Sequence, residues 1–180
     1  MLFIFILGFI IVILDQLSKL FVVGFFVDPQ VQLFEGLLQF EGDSVTLIDK
    51  VFSFTYVLNE GAAFGILESQ RIFFLLTTMI ICVVGIILLI RMPIKHFLLK
   101  LSSAFVFGGA IGNLIDRVVI GVVRDFLDAT FVDTITGYSF PVFNVADIFV
   151  VVGVILLAIY ILFIHDKVYP PKKKQDEKND

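Results

Sequence analysis

The chain has 180 residues, 59% of them hydrophobic, with 22 Phe, no Trp and a formal charge of −4 at pH 7. A soluble domain is about half apolar or less, so this composition excludes an ordinary water-soluble globule and indicates a membrane protein. One cysteine, Cys82, excludes a disulfide framework or a cysteine metal site within the chain, and it reads as a small buried hydrophobe.

Crossing ~30 Å of hydrocarbon takes about 20 apolar residues. Four segments qualify, at about 2–26, 71–91, 97–119 and 142–164. The first carries DQLSK at 15–19, lacks a basic leader and an Ala-x-Ala exit, and is expected to be a retained anchor. Asp15 and Lys19 are four apart, share a helix face and are able to pair. Their depth places them in the outer half of the bilayer, either as a neutralised packing pair or as part of a site.

Residues 27–69 are acidic, too long for a simple connector and too apolar for a disordered one. Within them VFSFTYVLN, 51–59, is β-branched and aromatic and predicts a strand. NEGAAFG, 59–65, supplies the Asn59 amide and small residues, Gly61 among them, that permit close approach or a turn into a short helix. The second span reads IICVVGIILLI, apolar all round. It leads into RMPIKHFLLK, which like the tail PPKKKQDEKND is basic, so both are expected in the cytoplasm. Four spans then place the N-terminus inside as well, with 28–68 and 120–141 outside.

On the third span Gly109, Asn113 and Arg117 step by four along one stripe, and Gly108 and Gly112 form a small-xxx-small surface for a neighbouring helix. Arg117 reads either as snorkelling to lipid phosphates or as bonding a carboxylate or a substrate backbone. RDFLD follows this helical pattern and contains Asp125. Gly137, inside the Asp133–Phe140 stretch, suggests a hairpin turn, and with the 51–59 strand a small sheet on the outer face. Pro141 suits the start of the last helix, where Asn144 is a candidate N-cap and Asp147 an acid in the first turn, three apart on one face. The tail from about 167 to 180 is expected to be disordered.

An ionised carboxylate at bilayer depth is expensive, so Asp125 and Asp147, flanking one short outer connection, are a functional-site hypothesis by default. Two acids that meet suggest a shared proton and acid/base chemistry. Competing chemistries are poorly supplied. His96 and His165 both map to the cytoplasmic side, Ser18 and Lys19 point about 100° apart on a helix, and no Walker-type loop occurs.

DQLSK (15–19), NEGAAFG (59–65), GGAIGNLIDR (108–117), VVRDFLD (122–128) and the FNVAD that ends at Asp147 occur in this order on one chain. Together they resemble the boxes of lipoprotein signal peptidase, also called signal peptidase II, over residues 1 to about 165. A somewhat long outer segment and an extended tail are the departures. The resemblance implies an all-α polytopic membrane protein, a single domain over 1–166, with four transmembrane helices, a small extracytoplasmic β-sheet cradle and a short outer helix. It implies a bacterial inner-membrane aspartic endopeptidase that removes the signal peptide from diacylglyceryl-modified prolipoproteins just before the lipidated cysteine. By position Asp125 and Asp147 match its catalytic pair. Asp15, Asn59, Gly109, Asn113, Arg117, Asn144 and Ala146 match its supporting residues, with Lys19 and Gly61 in the same boxes. Partners are then prolipoproteins and membrane lipid, with no nucleic acid, a monomer, no metal, and no cofactor, since water and two carboxyls suffice. The alternatives are a small proton-coupled transporter using Asp15, Asp125 and Asp147 as a relay, and a non-catalytic assembly factor with a Gly-rich face.

Overall fold

The computed structural model describes residues 1–26, 43–61, 71–91, 94 and 96–169. The expectations for 27–42, for 62–65 of NEGAAFG and for the tail from 170 lie outside the described residues. Four long helices carry the structure: α1 (Leu2–Phe26), α2 (Arg71–Arg91), α3 (Phe97–Val119) and α5 (Val145–Phe163). Strands β1 (Ser44–Ile48), β2 (Phe52–Asn59) and β3 (Val123–Asp128) form one antiparallel sheet in that order. Two short helices, α4 (Thr130–Thr136) and α6 (His165–Val168), are the remaining elements among the described residues.

Among the described residues, α1, α3 and α5 are long and apolar enough to cross a membrane; in α2 the apolar stretch is Leu75–Ile87. Large side chains such as Phe5, Phe9, Leu17, Ile155 and Leu162 stand exposed on the outer faces of these helices. Apolar exposure on this scale does not survive in water and suits helices solvated by lipid. The helices bond their own backbone, which a bilayer demands.

Close approach of α3 to its neighbours depends on glycine. A Cβ on Gly108 would sit 2.7 Å from Ile11 Cβ of α1, and one on Gly109 would strike the Ala146 carbonyl of α5. The expected small-residue surface of Gly108 and Gly112 packs on α1, while Gly109 beside it admits α5.

The sheet lies at the end of the bundle where α1 and α3 finish and α5 begins. Period-2 alternation sorts its two faces. Tyr56, Leu58 and Phe126 point one way and form a core with Val22 and Val23 of α1 and with Val122. Val57, Asn59 and Asp125 point the other way, with Val57 paired to Asp125 and a register shift between Phe54 and Val57.

One local expectation is corrected. The Asp133–Phe140 stretch is not a hairpin: Thr130–Thr136 is a helix, and Gly137 ends it in the left-handed conformation (φ 73°), its N–H donating to the Asp133 carbonyl. Gly in an αL position serves helix ends as readily as hairpins, so the residue alone did not discriminate. RDFLD lies beyond the end of the third helix, in the outer segment. The chain turns at Gly121 (φ 87°) and pairs as a strand, so Asp125 comes from a sheet and only Asp147 from a helix.

Candidate active site

Asp125 is 2% exposed on the inner face of β3. Asn59 stands diagonal to it across the β2–β3 ladder, and its Nδ2 donates to Asp125 Oδ2 at 2.8 Å. Asn59 is itself oriented, because its Oδ1 accepts the Gly61 N–H at 2.7 Å. Gly61 has φ 117°, which only glycine adopts readily, and this turn fixes which end of the amide faces the acid.

Asp147 arrives from the first turn of α5. Asn144 is the N-cap, its Oδ1 accepting the Asp147 N–H at 3.0 Å, while Asp147 Oδ2 accepts the Asn144 N–H at 3.1 Å. This reciprocal box satisfies two helix-end donors. It also leaves the Asn144 Nδ2 free to point away from the helix, where it donates to Asp125 Oδ1 at 2.6 Å and Asn113 Oδ1 at 3.0 Å. The expected cap at Asn144 is present, and the capping geometry also turns its amide toward Asp125. Asn113, on α3, donates from Nδ2 to Asp147 Oδ1 at 2.8 Å. Asn144 thus touches both acids, and Asn113 touches Asn144 and Asp147.

Beneath the acids lies a charged layer in which Asp15, Lys19 and Asp116 are fully buried and Arg124 nearly so. Lys19 Nζ meets Asp15 Oδ2 at 2.9 Å, Asp116 Oδ2 at 3.3 Å and Asn113 Oδ1 at 3.0 Å, which uses its three protons. Asp15 Oδ1 accepts the Ala146 N–H at 3.0 Å, so α1 also holds the start of α5. A Cβ on Gly112 would lie 2.6 Å from Asp15 Oδ2, so glycine makes room for the carboxylate. Asp116 accepts from Arg124 three times: Nη2 at 2.7 Å, Nε at 3.2 Å and the backbone N–H at 3.0 Å. Gln16 closes the ring, donating to Asp15, Asp116 and the Gly112 carbonyl and accepting from Arg124 Nη2. Two acids and two bases are buried with balanced charge, the condition under which such groups are tolerated.

Of the residues expected at the site, Asp15, Lys19, Asn59, Asn113, Asp125, Asn144 and Asp147 are joined by direct hydrogen bonds, with Gly61 and Ala146 contributing backbone N–H groups and Gly109 contributing space. Arg117 differs. Among the described residues its one hydrogen bond is a 3.5 Å contact to the Asn113 carbonyl, while Asp147, Asp125 and Asp116 are the charges near it. Gln16, Asp116 and Arg124 escaped the sequence reading. Asp116 and Arg124 are ionisable groups at the edges of apolar runs, and that alone was a signal.

Burial, then the neighbouring Asp147 charge, pushes the Asp125 carboxyl up to about 7; the Asn59 and Asn144 amides oppose this. Among the described residues no group of three His, Cys, Asp or Glu could hold a metal. His96 serves as N-cap of α3, its Nδ1 accepting the Leu98 N–H at 3.2 Å, about 30 Å along that helix from Arg117.

The family described as "Signal peptidase (SPase) II" matches residues 7–163. A lipoprotein signal peptidase of Clostridioides difficile is 37% identical over 154 residues, 86% of this chain and 90% of that protein. One from Brevibacillus brevis is 40% identical over 148 residues, covering 82% and 87%. A solved structure described as a bacterial membrane enzyme, obtained by the in meso method at 2.3 Å, superposes with a TM-score of 0.70 at 31% identity, covering 94% of this chain and 92% of the other.

Proposed function

This chain belongs to the signal peptidase II family, membrane aspartic peptidases that cleave prolipoprotein signal peptides, and on that premise we propose that Asp125 and Asp147 are its catalytic pair. The observation that carries the assignment is the Asn144 side chain, which bonds Asp125 and caps the helix turn bearing Asp147. Like charges so coupled in a dry site share one proton.

Asp125 holds that proton, since its carboxyl sits at about 7. Asp147 accepts a proton from a water whose oxygen attacks the scissile carbonyl carbon, and Asp125 donates to the carbonyl oxygen, giving a gem-diol. The roles then reverse. Asp147 protonates the leaving nitrogen, Asp125 takes a proton from the gem-diol, and the C–N bond breaks. The products are a signal-peptide carboxylate and the free amine of the lipidated cysteine. Asn113, Asn144 and Asn59 hold the carboxyls in register throughout, so orientation is supplied before substrate arrives. Arg117, with most of its five donors uncommitted among the described residues, is suited to a substrate carbonyl.

The acids lie at the bundle end opposite the basic Arg91 and Lys100, so the site is read as facing outward, with both termini cytoplasmic and α2 as the fourth span. The acylated cysteine then sets the depth of the cut, each buried CH₂ contributing about 0.8 kcal/mol of anchoring. Incubating purified protein with a diacylglyceryl prolipoprotein tests the reading. Cleavage just before the lipidated cysteine by the unaltered chain, and none by Asp125→Asn or Asp147→Asn, is expected; near-normal processing by either variant removes the pair from the mechanism.

A further inference from the structure

Arg124 immediately precedes Asp125 on β3, and successive side chains of a strand leave opposite faces. Its guanidinium therefore turns away from the two acids, into the layer beneath them. The residue is 7% exposed and its head meets Asp116 and Gln16, which leaves it out of reach of a substrate. The cleavage steps give this buried cation no task.

Asp116, near the end of α3, controls the whole connection to β3. Its carbonyl accepts the Ile120 N–H at 2.8 Å and the Gly121 N–H at 3.1 Å, where the turn begins. Its carboxylate accepts the Arg124 backbone N–H at 3.0 Å, Nε at 3.2 Å and Nη2 at 2.7 Å, where the turn ends. One residue thus holds both ends, and Asp125 follows at once. On the far side of Asp125, the Phe126 and Leu127 N–H groups donate to the Phe143 carbonyl at 3.0 and 2.7 Å. The Phe143 N–H returns a bond to the Leu127 carbonyl at 3.0 Å. Phe143 directly precedes Asn144, the cap of the turn that carries Asp147.

These contacts close a ring. From Asp116 it passes through Arg124, Asp125, Leu127, Phe143 and Asn144 to Asp147, then through Asn113 back to α3. Asn113 and Asp116 are three residues apart on that helix, about 4.5 Å along its axis. We propose that Arg124 is a positioning residue: clasped by Asp116, it fixes the height of Asp125 against Asp147, with α3 as the common reference for both acids. This deepens the catalytic-pair reading above and rests on it. The role is one of geometry and not of charge. An unpaired guanidinium facing Asp125 would favour its ionised form, whereas here Asp116 neutralises the cation and the strand turns it aside. Arginine suits the task because its planar fork meets both carboxylate oxygens while its own main chain supplies a third donor. A lysine ammonium is a point charge without that plane.

Arg124→Lys keeps the charge balance and breaks the fork. With a diacylglyceryl prolipoprotein as substrate, kcat should fall about tenfold or more, since a 1 Å misplacement can cost about a hundredfold. KM should stay within about twofold, because Arg124 touches no substrate. The alkaline limb of the pH profile should move to lower pH by about half a unit or more. Burial and then Asp147 of α5 raise the Asp125 carboxyl, and both weaken once the strand lifts. Lys19 of α1 and Arg117 of α3 are the cations facing Asp125, and both are kept in the variant. A merely structural loss lowers the number of active molecules and leaves the limb in place. A kcat within twofold of the unaltered chain, or a lower kcat with an unmoved limb, overturns the proposal. Gln16→Met is the milder variant, removing the amide that also holds Nη2 while the Asp116 fork remains. It should lower kcat about threefold and shift the limb in the same direction. If the Arg124→Lys protein does not accumulate, an unmoved limb in Gln16→Met overturns the proposal instead. Cleavage by Asp125→Asn, or none by the unaltered chain, would sink the peptidase reading itself. Normal cleavage by Arg124→Lys beside inactive aspartate variants would sink this inference alone.

Discussion

Replacing Lys19 with methionine tests the charged layer most directly. The ammonium is fully buried and compensates Asp15 and Asp116, with Arg124 as the second cation. Methionine matches the stem closely in length, so packing is largely kept while one positive charge disappears. Two buried carboxylates then share one guanidinium. Breaking a buried pair by removing one partner costs about 3–5 kcal/mol, because the orphaned charge has no water to return to. For a chain of this size each kcal/mol moves Tm by about 2–4 °C, so the fall should be about 6–20 °C in detergent. Function suffers by a separate route. Asn113 Oδ1 loses its 3.0 Å donor, and the amide that held Asp147 is no longer fixed in orientation. Activity per folded molecule should drop at least tenfold. Adding Asp15→Asn removes the uncompensated charge and should recover part of the Tm but not the activity. A Lys19→Met protein melting within 2 °C of the unaltered chain would refute the idea that charge balance holds this layer together.

Asp125→Asn and Asp147→Asn should each abolish cleavage while leaving the protein in the membrane, measured by product release and by fractionation. The pH profile of kcat/KM should fall on its alkaline side near pH 7, where Asp125 loses the proton it donates. The stability link has a definite sign: the native carboxyl is raised above the ordinary 3.8, so its contribution is full below about pH 4 and is lost as pH rises toward 7. Asn59→Ala removes a hydrogen bond that favours ionised Asp125, and should move the alkaline limb to higher pH; a limb that stays put or moves down contradicts the assignment of Asp125 as acid. Arg117→Ala should lower turnover with little change in Tm, since its one hydrogen bond among the described residues is long; unchanged turnover would favour the lipid-phosphate reading.

Much of the molecule is written in local patterns. Apolar length marked the helices that became α1, α3 and α5, the β-branched run marked β2, and an Asn–x–x–Asp spacing marked the start of α5. Each is a short-range property, legible because a helix or strand face depends only on periodicity and capping. Acids in apolar surroundings flagged Asp125 and Asp147 for the same reason. Tertiary structure alone decided what those residues touch. That Asp125 lies on a strand follows from pairing with β2, a contact across 66 residues to Asn59 that no local pattern contains. That Asp15, Gln16, Lys19, Asp116 and Arg124 form one neutral layer follows from α1, α3 and β3 meeting at a single depth. Whether a buried charge is a liability or a scaffold depends on its partners, and partners are brought together only when the helices close.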